Sequence, residues 1–237
     1  MLADVLAIPA VAAVLGGTIA AFRPPGKRLQ SVIQHFAAGV VFAAVAGELL
    51  PELMYEAAAL PTIAGFALGV GLMLGVKRLA EREPGDDAPE SALASTRGLV
   101  ATVAVDIAVD GLLIGVGFAA GAEAGLVVTI ALSLEVLFLV LATAAALVGA
   151  GASRGRVLAT AAGLTVLLLA GAVGGTLAAG ALTGGLLAAV LAFGVAALLY
   201  LVTEELLVEA HETEDTPLAT ATFFAGFLAL LLLEMAL

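Results

Sequence analysis

The chain has 237 residues, 62% of them hydrophobic and 12% charged, with a formal net charge of −11 and no cysteine. A soluble globular domain carries about 25% charged residues, so an ordinary water-soluble fold is excluded. Without cysteine there are neither disulfides nor thiolate metal ligands, and the acidic balance argues against nucleic acid as a partner. Arginine outnumbers lysine seven to two and the acidic residues gather in loops, a weak lean toward a high-salt habitat.

The apolar residues come in runs of twenty or more, each long enough to cross about 30 Å of hydrocarbon as a helix. None shows the ten-residue alternation of a membrane β-barrel. The expectation is an all-α integral membrane protein: residues 1–237 form a single transmembrane domain of eight helices in a lipid bilayer.

Span one covers 4–22. Its first basic residue, Arg23, follows the apolar run, so it reads as a retained span rather than a cleaved signal. The run Arg23-Pro24-Pro25-Gly26-Lys27-Arg28 separates it from span two, 32–54. Pro61 opens span three, 61–79. The charged stretch 80–97 then reads as a polar cytoplasmic loop. Span four covers 98–120 and span five 124–150, and with only 121–123 between them the two are antiparallel neighbours. Spans six, seven and eight cover 156–180, 184–208 and 217–236.

All nine basic residues fall between spans one and two, beside or between three and four, or between five and six. The positive-inside rule makes that side cytoplasmic. Both termini are then extracytoplasmic, and the protein is a multi-pass protein of the plasma membrane.

An internal similarity links spans two and seven. Phe36 is followed by eleven mostly apolar residues and then Glu48-Leu49-Leu50-Pro51-Glu52. Phe193 is followed by eleven more and then Glu205-Leu206-Leu207-Val208-Glu209. The two spans lie five apart and cross in opposite directions. This reads as an inverted-topology repeat, spans 1–3 and 6–8 around central spans 4–5, as in secondary transporters. Glu48 and Glu52 would attract cations at one mouth of a pathway, and Glu205, Glu209 and His211 at the other. For any one of these glutamates, interfacial solvation of a helix end explains the residue equally well.

Three acids stand in the middle of apolar spans: Asp106 and Asp110 in span four, Glu135 in span five. A charge at the bilayer centre costs about 2.5–3.5 kcal/mol. Asp106 and Asp110 share a helix face and lie about 12–18 Å along their span, and Glu135 lies about 16 Å along its own. No Lys or Arg occupies the interior of any span, which removes the ion pair as an explanation. Three readings stay open: a bound cation, a proton relay, or hydrogen-bonded neutral acids. For a cation, Thr102 and Ser133 are candidate hydroxyl ligands. An all-oxygen set favours Mn²⁺, Fe²⁺, Mg²⁺ or Ca²⁺, with Zn²⁺ also compatible. Gly111, Gly115, Gly117 and Gly121, with Gly171 and Gly175, suit close helix packing, and His35 reads as interfacial. With no nucleophile–base pair and no phosphate loop, neither an enzyme nor an organic cofactor is expected.

The pattern resembles the ZIP family of divalent metal transporters along essentially the whole chain. The resemblance rests on His35-Phe36-Ala37-Ala38-Gly39 leading to Glu48-Leu49-Leu50-Pro51-Glu52, on Asp110-Gly111-Leu112-Leu113-Ile114-Gly115, and on Tyr200-Leu201-Val202-Thr203-Glu204-Glu205 leading to Glu209-Ala210-His211. It implies import of a divalent metal (Zn, Mn, Fe, Co or Cd) toward the cytoplasm, as substrate. Spans one, four, five and six would move like an elevator against two, three, seven and eight, in a homodimer. The departures lie at the metal centre. Where the family's fourth span usually reads His-Asn-x-Pro-Glu-Gly, this chain has Asp106-Ile107-Ala108-Val109-Asp110-Gly111. In span five only Glu135 survives of the usual ligands, and 171–180 in span six carries no charge. A single all-carboxylate site is expected. The alternatives are a proton-coupled carrier of another substrate, or a non-transporting metal-sensing membrane protein of the same fold that contacts a soluble partner through 80–97.

Overall fold

In the computed structural model the described residues are 2–80, 92–179, 182–211 and 216–236; they are helical almost throughout and contain no strand. Among them, eight helices are long and apolar enough to cross a bilayer. They are α1 (Leu2–Phe22), α2 (Lys27–Glu56), α3 (Ala59–Ala80), α4 (Ala92–Ala120), α5 (Ala122–Gly149), α6 (Arg154–Ala179), α7 (Gly185–Leu206) and α8 (Pro217–Glu234). The chain is a multi-pass membrane protein in its helix content, as its composition predicts.

The helix ends follow local chemistry. Ala57, at φ 49°, ends α2 in the left-handed region. Thr216 caps α8 by accepting the Ala219 N–H at 3.2 Å, with Pro217 in the first turn where its missing N–H costs nothing. Helix α4 starts at Ala92, six residues ahead of the predicted span, so the polar loop is shorter than 80–97. No glycine or proline lies between Pro89 and Gly98, and Ala92, Leu93 and Ala94 favour helix. Residues 81–91 of that loop lie outside the described residues.

Packing divides the helices into two units. In one, α4 lies along α6 and α5, and α1 along α5 and α6. In the other, α2 lies along α8 and α3 along α7. The main seam between the units is α2 against α5, with lighter touches of α4 on α3 and α7. Backbone-close approaches hold each unit: a Cβ on Gly111 or Gly171 would strike the facing backbone of α6 or α4, and one on Gly39 that of α8. In hydrocarbon such approaches replace the hydrophobic effect as the source of helix association.

In the unit of α2, α3, α7 and α8 the contacts recur at one sequence offset. Gly226 meets the Phe36 carbonyl, and Gly69, 157 positions earlier, meets the carbonyl of Phe193, 157 positions after Phe36. The Thr222 hydroxyl donates to the Val32 carbonyl at 3.1 Å, while Gly65 abuts the carbonyl of Ala189, again 157 positions off in each partner. In the other unit, Gly16 meets the backbone of Leu137 and Leu141, and Gly171 meets Ala108 and Leu112. That second match sets α5 against α4 with a shift of 29, the same spacing that separates Asp106 from Glu135.

The same offset joins two backbone irregularities. Val45–Leu49 in α2 and Val202–Leu206 in α7 are π turns. In each the widened ring is explicit, since the Leu50 and Leu207 N–H groups donate to the carbonyls five residues back, Val45 and Val202. A π turn inserts one residue into the helix and re-aims the side chains that follow. Here it carries Glu48 and Glu205, one in each copy of the repeated motif.

Candidate cation site

Asp106 and Asp110 project from adjacent turns of α4 and are each 1% exposed; Glu135, on the neighbouring α5, is 0% exposed. Both oxygens of Asp106 and of Glu135, and Oδ2 of Asp110, have no hydrogen-bond donor among the described residues. Burying an ionised group unpaired is among the costliest arrangements a protein can hold. The two helices pack side by side, and each carries its acids into the protein interior.

A fourth carboxyl joins them. Glu205, half-buried on the α7 π turn, lines a small cavity together with Glu135. Glu205 thus reaches from the second packing unit into the first.

The surroundings are tight. A cavity of about 10 Å³, room for roughly one water, is lined by Gln34, Glu135, Phe138, Leu139, Leu201, Glu205 and Leu206. Met73, Val109, Ala197, Leu198 and Leu201 line a second pocket with Asp106 and Asp110 that has no room for a water. Among the described residues no three His, Cys, Asp or Glu side chains are grouped so as to hold a metal ion as they stand.

The candidate hydroxyls are both turned to their own helices. Thr102 donates to the Gly98 carbonyl at 3.2 Å, and buried Ser133 donates to the carbonyl of Thr129. Of the predicted mouth residues, Glu48 is half-buried and within electrostatic reach of Glu123 and Glu234. Glu52 is half-buried nearby on α2. The side chain of Glu209 lies outside the described residues. His211 is exposed and its ring lies 5.1 Å from that of His35, centroid to centroid. His35, expected at an interface, is instead 2% exposed, with Nδ1 bonded to the Ser31 carbonyl at 2.9 Å. The helix has turned it inward because Ser31, Gln34 and His35 share one face, and Ser31 is tied across to the Ala210 carbonyl at 2.7 Å.

Sequence reasoning placed Glu205 at a mouth and passed over Gln34. The i, i+3, i+4 spacing of Ser31, Gln34 and His35 was the signal for a buried polar face on α2. No sequence signal announces a π turn.

Fold and site together define an all-helical membrane protein with a carboxylate cluster at the seam of two helix units. The chain matches no family model and no curated protein.

Proposed function

We propose that the protein is a divalent-cation transporter of ZIP-like design, moving a metal such as Mn²⁺, Fe²⁺ or Zn²⁺ toward the cytoplasm. Asp106, Asp110 and Glu135 are the ligands that travel with it. The observation that carries the reading is three buried carboxyls with five oxygens unpartnered among the described residues, in spans whose interiors hold no Lys or Arg. A divalent ion among them leaves a net charge of −1 in place of −3. Two packing units supply the moving parts: α1, α4, α5 and α6 hold the three acids, and α2, α3, α7 and α8 form the wall they slide past. The matched contacts and paired π turns support an inverted repeat, and with it two related end states in which the site opens to opposite faces. The site is closed and nearly void-free here, so loading requires the units to part. The protein would sit in the plasma membrane as a homodimer with both termini outside, with no enzymatic role, organic cofactor or nucleic-acid partner.

Purified protein in proteoliposomes tests this: Mn²⁺ uptake should be lost in Asp110→Asn. Uptake unchanged after all three acids are neutralised would overturn it.

A second reading has its own support. The buried, unpartnered oxygens of Asp106 and Glu135, with no ready metal cluster among the described residues, suit a proton-coupled carrier of another substrate. Proton flux in vesicles free of divalent metal, lost in Asp106→Asn, would favour it.

A further inference from the structure

We propose that Glu205 and Glu48 are alternate ligands for the transported cation: Glu205 completes the site in the arrangement seen here, and Glu48 completes it in the opposite one. This rests on the transport reading above and adds to it a ligand from the stationary unit at each end of the path.

Three observations meet in it. Asp106, Asp110 and Glu135 are buried with unpartnered oxygens, so the site lacks partners from its own unit. Glu205 enters from the other unit and lines the small cavity beside Glu135. Glu48 is its counterpart at the offset of 157, on the matching π turn, and at present is spent on none of the three acids; its electrostatic neighbours are Glu123 and Glu234. The shift of 29 pairs Asp106 with Glu135 in the same way. Exchanging the repeats therefore carries the pairing of Glu205 with Glu135 onto Glu48 with Asp106. A metal held by both units staples them together. It can leave one end only when that end's glutamate gives way, and its twin is then in place at the other.

The ends differ in one respect. Lys77 pairs with Glu204 at 3.0 Å and acts on Glu205. At the offset of 157 their counterparts are Glu234 and Gly47, so the Glu48 end carries an acid where the Glu205 end carries a base. A tethered cation beside Glu205 competes with the metal there and favours release, whereas Glu48 stands among acids that favour capture.

The chain has no cysteine, so spin labels can be placed at will. Leu68 on α3 and Val166 on α6 are 68% and 66% exposed and lie on different units. In the full-length protein labelled at Leu68→Cys and Val166→Cys, two distance populations are expected. Glu205→Gln should deplete the one belonging to the present arrangement and Glu48→Gln the other, with Mn²⁺ binding about tenfold weaker in each. If the wild type transports Mn²⁺ and shows two populations, but the two variants shift them in the same direction or not at all, the alternation is wrong while the transport reading stands. If the wild type moves no metal, the reading beneath it fails first. Lys77→Gln should slow release without changing the distances.

Discussion

The two π turns occupy equivalent places in α2 and α7 but face different company. Glu205 lines a cavity with Glu135 and follows Glu204, which pairs with Lys77, whereas Glu48 follows Gly47, which abuts the Glu234 carboxylate. Backbone contacts that match at one sequence offset form a framework, and the side chains around it differ. The framework is in the backbone contacts and the asymmetry is in the side chains that meet across the seam. It follows that variants on the two sides of the seam should fail differently, those in the framework by unfolding and those at the site by losing the cation.

The largest effect belongs to the acids with no donor. Asp110→Asn should bring Mn²⁺ uptake to the level of empty vesicles while leaving thermal unfolding in detergent unmoved or raised, because it removes an unpaired buried charge. Loss of the fold instead would mean that Asp110 is structural. Next come the framework glycines. Gly39→Leu and Gly111→Leu drive a side chain into facing backbone and should each destabilise by about 1–3 kcal/mol or more. Gly71→Leu, with open space around it, should be neutral in the same melt, and equal damage at all three positions would refute the packing described. Smaller again is Ser133→Ala. Its hydroxyl is engaged by its own helix, so uptake should change less than tenfold, and a complete loss would make Ser133 a ligand. The smallest is Lys77→Gln in stability alone: the pair is about half exposed, so the melt should shift by no more than about 1 kcal/mol.

Much of the fold was legible in the chain. Uninterrupted apolar runs and Gly/Pro breaks marked all eight spans to within a few residues, because a bilayer leaves the backbone no alternative to helix. The early start of α4 was missed since the charges of 80–97 masked a stretch with no helix breaker. The three acids drew notice through their cost in hydrocarbon, and the short 121–123 link made their helices neighbours. What stayed hidden depends on pairings between distant segments. The placement of Glu205 beside the cavity of Glu135 needs α7 to reach across the seam. The inward face of His35 needs Ser31 tied to Ala210, far along the chain. The match of Gly69 with Gly226 is invisible until their carbonyl partners are known.

The central claim is that Asp106, Asp110 and Glu135 hold the transported ion. Calorimetric titration of Mn²⁺ into purified full-length protein, wild type against the variant carrying Asp106→Asn, Asp110→Asn and Glu135→Gln together, tests it most directly. The account predicts one ion bound per wild-type chain and none at this site in a variant that still melts cooperatively. Equal binding by the two proteins would contradict it.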